Sequence, residues 1–400
     1  MSAKRKLTIA IFFGGRSVEH DVSVITGNQI MRAFDAERFE VVPVYINREG
    51  KWFTGDPLLD LNNYKNEVTS HKGIIPVILS PATQHHGLIL NPVVGRLQKN
   101  TVKRIDVAFP AIHGSHGEDG TLQGLFELAD IPYVGCGVLS SAIANDKAIT
   151  KQLLRQNQVP VLDDVVFSRA EWLDNPETWI EHIERNLRYP LFVKPVTLGS
   201  SIGVGRVENE QLLRASIEVA FNFDRRVIVE SALVQCKEIN CAVIGHGTAI
   251  TASVLEQPVS WEQFLTYEEK YMRGNEGMKS AERLIPAPLS AEQTAQIQAY
   301  AVNAFKAIDG RGTARIDFLV RDDEVYLNEI NTMPGSLAFY LWRENGLAAS
   351  DVVERLVQIA QDGYAEKRRT SYNYQTSLIA MTASRGLKGV KRDKNPVRVN

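Results

Sequence analysis

The sequence predicts an α/β protein of two or three domains, and three observations carry that expectation. At 400 residues the chain is longer than one hydrophobic core ordinarily organises. Short β-branched runs alternate with segments of helical periodicity, a pattern of layered strands and helices whose ligands sit at strand ends. Late in the chain, two strand-like runs flanking a polar turn place charged side chains among apolar neighbours.

Composition narrows the class. A hydrophobic content of 44% with 28 Gly and 16 Pro is that of a soluble globular protein. A net charge of −2 with 23% charged residues gives no global attraction to nucleic acid or membrane. The cysteines Cys136, Cys236 and Cys241 form neither a C-x-x-C pair nor an even-numbered framework, and are expected to be reduced. The start MSAKRKLTIAIFFGG is basic and then apolar, but the apolar run is short and meets Gly14-Gly15-Arg16 without a small-residue cleavage site. It reads as a buried strand. No stretch is long and apolar enough to span a bilayer, and a cytoplasmic location is expected.

Taken in order, Leu7–Phe13 is a buried strand running into Gly14-Gly15-Arg16-Ser17 and a helix to about Phe34, with Ser17 as its expected N-cap. The Gly-Gly turn lacks the full G-x-G-x-x-G spacing and does not support dinucleotide binding. Strands are expected at Glu40–Ile46, Ile75–Leu79 and Arg104–Ile112. His113, His116, Glu118 and Asp119 follow, but Gly114, Gly117 and Gly120 break any helix that could array them around a transition metal. A substrate-positioning loop fits better. Ser140–Gln156 reads as one helix with Lys147 in its early part.

A second unit opens with a strand at Val161–Phe167 and a helix around Trp172–Arg188. Lys194 ends an apolar strand. The small loop Gly199-Ser200-Ser201-Ile202-Gly203 offers backbone N–H groups and hydroxyls that can close over phosphates. It is not the G-x-x-x-x-G-K-[ST] phosphate loop, which the chain lacks. A helix at Asn209–Ala220 and a strand at Val227–Glu230 complete the unit. From Ser231 a third unit holds strands, a long polar loop at Gln257–Ala281 of lid length, a helix at Ala291–Ile308 and the late pair of strands. A helix around Ala348–Ala360 closes it. The basic stretch Tyr364–Asn400 has little apolar periodicity and reads as a solvated, partly disordered tail without a nucleic-acid role.

In the late pair, GTARIDFLV and EVYLNEINT, side chains two apart share a face, so Arg315 accompanies Asp317 and Glu329 accompanies Asn331. Paired strands would present a guanidinium, two carboxylates and an amide on one surface. That set suits Mg²⁺, a hard ion held by one or two carboxylates and substrate phosphates. The competing reading is a solvated hairpin with ordinary salt bridges. Ile316, Phe318, Leu327, Ile330 and the Met-Pro-Gly end point instead to a buried sheet, hence a metal and phosphate site.

Across roughly residues 5 to 360 the chain resembles the D-alanine–D-alanine ligases of the ATP-grasp superfamily. The motifs GGRSVEHDVS, HGSHGEDGTLQG, IPYVGCGVLSSA, DK, FVKPVTLGSSIGV, YEEKY, IPAPL, RIDF and NEINTMPG occur in the family's order. The resemblance implies a three-domain ATP-grasp architecture behind an N-terminal α/β domain: residues 1–137 for substrate, 138–230 and 231–363 as the central and C-terminal ATP-grasp parts, and 364–400 as tail. It implies ATP as co-substrate with two Mg²⁺ ions (Mn²⁺ as alternative), D-alanine as substrate and a homodimer. Lys147, Lys194 and Ser201 match groups at the ATP phosphates, and Glu230 and Glu238 match acids at the adenine and ribose. Asp317, Glu329 and Asn331 match the metal ligands. Lys270 would help neutralise the γ-phosphate as it passes to the first D-alanine's carboxylate, giving an acyl phosphate that a second amine attacks. Arg315 and the Gly335 N–H would stabilise the oxyanion. Glu19 would receive the first ammonium, Ser200 and Tyr271 would hydrogen-bond towards Glu19, and His113 would sit beside the first substrate.

The chain also departs from the family pattern. Asn145 stands where Met is common, Asn240 where an acid is frequent, and Thr266 where Asp is frequent. After Gly335 the family has Phe or Met, Thr and then a Ser that holds the second D-alanine's carboxylate. Here the run Gly335-Ser336-Leu337-Ala338-Phe339-Tyr340-Leu341-Trp342 is shortened and offers only the Ser336 and Tyr340 hydroxyls. Either one substitutes, or the second substrate differs. Tyr271 favours an amine acceptor, because lactate-using relatives often lack a tyrosine there. A non-catalytic nucleotide-binding regulator is the contrasting class, and the retained Arg315 opposes it.

Overall fold

The computed structural model describes residues 5–92, 100–259, 283–371 and 379, arranged around three β-sheets. The first sheet comprises β1 (Leu7–Gly14), β2 (Phe39–Ile46), β3 (Trp52–Thr54), β4 (Ile75–Leu79), β5 (Gly87–Leu90), β6 (Thr101–Arg104) and β7 (Val107–Pro110). Its order is β6-β5-β4-β3-β2-β1-β7, with β1 parallel to both β2 and β7. Helices α1 (His20–Ala33), α2 (Thr121–Leu128), α3 (Val138–Asn145) and α4 (Lys147–Gln156) belong to this part of the chain and the connection that follows. The second sheet is antiparallel in the order β10-β9-β11-β8, formed by β8 (Asp164–Ser168), β9 (Leu191–Pro195), β10 (Gly205–Val207) and β11 (Arg226–Ser231). Around it lie α5 (Arg169–Asp174), α6 (Pro176–Asn186) and α7 (Glu210–Phe221). The third sheet is β14-β13-β12-β15-β16, built from β12 (Lys237–His246), β13 (Ala249–Pro258), β14 (Arg283–Leu284), β15 (Arg311–Arg321) and β16 (Glu324–Asn331). Helices α8 (Ala291–Ala307), α9 (Phe339–Glu344) and α10 (Ala349–Lys367) complete the chain.

β1 reads as a continuous apolar run because it is covered on both faces. Alternation sends Ile9, Ile11 and Phe13 into one core, and Ala10 and Phe12 into another with Leu122 and Phe126 of α2. The first of these cores is shared between sheets. It takes in Ala242 and Ile244 of β12, Leu341 and Trp342 of α9, and Val352 and Leu356 of α10. The second sheet keeps a core of its own around Phe167, Trp172, Ile183, Ile217 and Phe221. Each such side chain taken from water contributes roughly 1.5–3 kcal/mol. Gly14, at φ +86°, ends β1 where a Cβ would lie 2.3 Å from the Ile46 carbonyl oxygen, so only glycine fits.

Several elements differ from expectation. The run Arg104–Ile112 is two strands, β6 and β7, at opposite edges of a sheet that curls until Ile105 and Asp106 alone join them. Asp106 fixes the join by accepting the Thr8 N–H at 2.8 Å. The expected helix Ser140–Gln156 breaks at Asp146, whose side chain caps α4 through the Ile149 N–H at 3.0 Å. The helix expected at Trp172–Arg188 breaks at Asn175, ahead of Pro176 at the start of α6. Ser17 does not cap α1, which begins three residues later. Its hydroxyl instead accepts the Glu19 N–H at 3.1 Å. The final helix runs past Ala360 to Lys367, across the boundary at 363/364 expected for the tail. Its end is held by the first unit: Tyr364 donates to Asp130 at 3.1 Å, and Lys367 pairs with Glu127. The cysteines are free, as expected.

Candidate active site

The pairing of β15 with β16 sets the site. Arg315 lies opposite Asn331 and Asp317 opposite Glu329, so all four side chains occupy one face. Arg315 donates through Nε and Nη2 to the two oxygens of Asp317, each at 2.7 Å. Burial works against the guanidinium charge, but Asp317 outweighs it and Arg315 stays firmly protonated. Asn331 Nδ2 donates to Asp317 at 2.9 Å and to Glu329 at 3.5 Å. Two carboxylates and an amide, oriented by one arginine, are the donor set of an oxygen-ligated divalent ion that a substrate completes. The residues fit Mg²⁺. Among the described residues no group of three or more His, Cys, Asp or Glu side chains could hold a metal. Of His113, His116, Glu118 and Asp119, His116 stays beside Asp119, donating its backbone N–H to it at 2.9 Å, whereas His113 and Glu118 are held by other partners. Glu238 lies on the same face, two residues along β12 from Asn240, the partner of Asp317.

A cleft open to solvent joins this face to the first unit and to the Ser200 loop; Glu19, Glu118, Lys147, Ser200, Glu329 and Asn331 line it. Glu19 is 8% exposed and accepts the Ser200 hydroxyl, whose backbone takes a left-handed φ of +56°. Gly114, at φ +70°, must be glycine because a Cβ there would sit 2.5 Å from Glu19 Oε2. His113 is buried, with its N–H donating to Ser23 Oγ at 2.9 Å and Nε2 at 2.9 Å from Thr26 Oγ1. Burial first, and Arg315 in addition, lower its pKa to about 4 against a hydrogen bond to the Met333 backbone that raises it, so the imidazole is neutral at pH 7.

On the opposite wall Lys147, the first residue of α4, donates to the Leu198 carbonyl at 2.8 Å. Burial lowers its pKa. Lys194 lies 2.5 Å from Glu230 Oε2 and 3.5 Å from Asn328 Oδ1. Ser201 is exposed at a left-handed turn beside Ser200. Gly335 opens a short 3-10 turn in which Ser336, Leu337 and Ala338 have φ of 51°, 49° and 52°. The Ser336 N–H donates to Thr26 Oγ1 at 3.3 Å. Lys270 and Tyr271, with most of the expected lid, lie outside the described residues.

Two further groups have buried roles that the sequence does not reveal. Glu118 bridges the outer parts of the site: Oε2 accepts the Gly114 N–H at 2.8 Å and Oε1 the Met333 N–H at 2.9 Å. Burial first, then the Glu19 charge, push its pKa up to about 8. Lys151, 4% exposed, lies 2.6 Å from Glu230 Oε1 and 3.6 Å from Asp164. Burial pushes the Glu230 carboxyl up, but Lys151 and Lys194 overcome it and hold the pKa far below the usual carboxylate range. Neither group's partner was adjacent in sequence.

Comparison with known proteins finds relatives along nearly the whole chain. Residues 8–136 match the family model "D-ala D-ala ligase N-terminus" and residues 153–358 match "D-ala D-ala ligase C-terminus". The D-alanine--D-alanine ligase of Heliobacterium modesticaldum is 40% identical over 377 residues, covering 92% of this chain and 98% of the relative. That of Thermosipho africanus is 36% identical over 374 residues, 93% of this chain and 98% of the relative. Among solved structures, the VanG D-Ala:D-Ser ligase of Enterococcus faecalis aligns with a TM-score of 0.77 at 33% identity, covering 89% of this chain and all of that one. The D-alanine-D-alanine ligase of Coxiella burnetii aligns at 0.75 and 29% identity, covering 95% and 99%.

Proposed function

Since the chain belongs to the D-alanine–D-alanine ligase family, we propose the following division of labour among its residues. The protein is an ATP-dependent carboxylate–amine ligase with an ATP-grasp fold, joining D-alanine to a second amino acid for peptidoglycan precursor synthesis. The observation that carries the reading is that Glu329 and Asn331, paired with Asp317 and Arg315 on one sheet face, share a cleft with Glu19 and Lys147.

Glu19 receives the ammonium of the first D-alanine, oriented by Ser200, while neutral His113 borders that substrate without adding charge. Lys147, Lys194 and Ser201 hold the ATP phosphates, with Glu230 and Glu238 at the base and sugar. Asp317, Glu329 and Asn331 would hold the two Mg²⁺ ions, whose charge offsets that of the phosphates during transfer. The first substrate's carboxylate takes the γ-phosphoryl group and ADP leaves. The second amine attacks the carbonyl carbon of the resulting D-alanyl phosphate, and phosphate departs. Arg315 and the Gly335 N–H receive the negative charge that develops on the carbonyl oxygen. Lys270 would help neutralise the γ-phosphate and Tyr271 would hydrogen-bond towards Glu19, and because acyl phosphates hydrolyse, the reaction gains from exclusion of water.

The second position carries a broadened preference, consistent with the altered run after Gly335; the VanG relative, named for D-serine, shows that acceptor choice varies on this fold. Homodimerisation, a cytoplasmic location and the lack of membrane or nucleic-acid partners belong to the same proposal. No described helix is long and apolar enough to cross a membrane. The test supplies ATP, Mg²⁺ and D-alanine, alone and with D-amino acids, L-amino acids or D-lactate, and identifies products by mass. D-alanyl-amino acid products are expected. A failure of D-alanine to trigger ADP formation with any acceptor would refute the reading.

A further inference from the structure

The face that carries Asp317 and Glu329 continues across the third sheet to a second buried polar cluster that the ligation described above does not use. Glu256 on β13 lies opposite Asn240 on β12, which lies opposite Asp317 on β15. Glu256 is 0% exposed. Its Oε1 accepts from Arg283 Nη1 at 2.6 Å; its Oε2 accepts from the Tyr340 hydroxyl at 2.5 Å and from Asn240 Nδ2 at 3.3 Å. The Arg283 guanidinium stands over the Tyr340 ring, 4.4 Å from its centroid. The Arg283 side chain is nevertheless 30% exposed.

A carboxylate taken wholly out of water is a poor way to gain stability, since apolar residues of similar volume usually serve as well. Here the buried charge does something an apolar residue could not: it fixes one edge of a guanidinium against a phenol and leaves another edge at an accessible rim. A guanidinium held in that way matches the planar fork of a carboxylate. Its position selects which carboxylate. Arg315 interacts electrostatically with both Glu256 and Tyr340. On one side of Arg315 lie Asp317 and the acids of the phosphate site, and across the cleft lie Glu19 and Ser200, which take the first substrate. The Tyr340–Arg283 flank is the side left for the attacking amino acid, whose amine and carboxyl carbon are two bonds apart.

Resting on the ligase reading, we propose that Arg283 binds the α-carboxylate of the second, attacking amino acid, with Glu256 and Tyr340 as the residues that position it. The shortened run after Gly335 fits this arrangement because it delivers Tyr340, through the left-handed turn at Ser336–Ala338, onto Glu256. The site selects acceptors by their free carboxylate and tolerates variation in the side chain.

The test compares D-alanine with D-alaninamide as acceptor, since the amide has no carboxylate to phosphorylate and can act only as the amine. Formation of D-alanyl hydroxamate from ATP, D-alanine and hydroxylamine reads the first half-reaction separately. In Arg283→Gln, kcat/KM for D-alanine as acceptor should fall roughly tenfold to a hundredfold, as expected for loss of one charged hydrogen-bonding partner. D-alaninamide should be used as before, so the preference for the free acid collapses, and hydroxamate formation should persist. Tyr340→Phe should move the preference the same way by a smaller factor. A preference unchanged from the natural chain, with hydroxamate still forming, overturns the proposal. Should Arg283→Gln lose hydroxamate formation, Tyr340→Phe decides, and an unchanged preference there is equally fatal. Absence of hydroxamate in the natural chain would instead refute the ligase reading itself.

Discussion

Replacing Lys151 by methionine tests the electrostatics of the nucleotide wall most directly. Glu230 is buried with one oxygen 2.6 Å from Lys151 and the other 2.5 Å from Lys194. Methionine fills the space but removes one of the two charges that keep this carboxyl ionised. Breaking a buried pair by deleting one partner costs about 3–5 kcal/mol, and the survival of Lys194 argues for the lower end, about 3 kcal/mol. The sign of the pH dependence follows. A carboxyl with a depressed folded pKa contributes its full stabilisation above its unfolded value, roughly 4.3, and loses it as pH falls towards the folded value. The variant lacks the part of that depression that Lys151 supplies, so its deficit should be full at pH 7 and narrow below roughly 4.3. Hydrogen exchange of β9 and β11 amides reports the local stability, and urea titration at several pH values reports the trend. A variant within about 0.5 kcal/mol of the natural chain at pH 7, or a deficit independent of pH, would show that Lys151 packs without holding Glu230 ionised.

Asp317→Asn and Glu329→Gln should each abolish Mg²⁺-dependent phosphate release with the circular dichroism spectrum retained; undiminished turnover in both removes the metal assignment. Glu118→Gln should flatten a pH dependence of stability. A carboxyl whose folded pKa is about 8 holds a proton that the unfolded chain lacks above roughly 4.3, so the natural protein loses stability as pH rises through that interval, which urea midpoints at pH 5, 6.5 and 8 will read. Removing the chain after Ser371 should preserve activity. A chain ending at Gly363 should be less stable by about 1 kcal/mol, because Tyr364 and Lys367 lose part-exposed partners on Asp130 and Glu127; equal thermal midpoints for the two truncations would refute that.

The hairpin was legible in sequence because strand geometry is rigid: side chains two apart must share a face, and the RDD turn leaves one sensible pairing for Arg315, Asp317, Glu329 and Asn331. The Gly-rich loop at His113 and the Ser200 loop were legible for a similar reason, since backbone freedom is written in glycine. What stayed hidden was burial of charge. Lys151 on an amphipathic helix looks like any solvated lysine until Glu230, from a strand 79 positions away, arrives beside it. Glu118 sat in plain view, yet its partner Met333 is 215 positions distant. The left-handed turn at Ser336–Ala338 left no trace, for it contains no glycine and is imposed by packing of Leu337 and Ala338 into the shared core. The break at Asp146 was missed because continuous apolar periodicity masked a capping residue in mid-run.

That shared core has a mechanical meaning. The first and third sheets are fused through Phe13, Ile244, Trp342 and Leu356, and strapped again where Lys367 meets Glu127, whereas the second sheet stands on its own interior. Mechanically, the three sheets therefore make one anvil and one hammer. Glu19, His113, Arg315 and Asp317 are all mounted on the anvil, so their mutual spacing is set when the chain folds. Ser200 and Lys194 ride on the hammer, which meets the anvil at Ser200 on Glu19, at Lys194 near Asn328 and along α4, where Lys147 reaches Leu198, Arg226 pairs with Asp146 and Lys151 pairs with Glu230. A substitution that loosens the hammer should then alter exchange of ATP and ADP while leaving the carbonyl-handling groups in register.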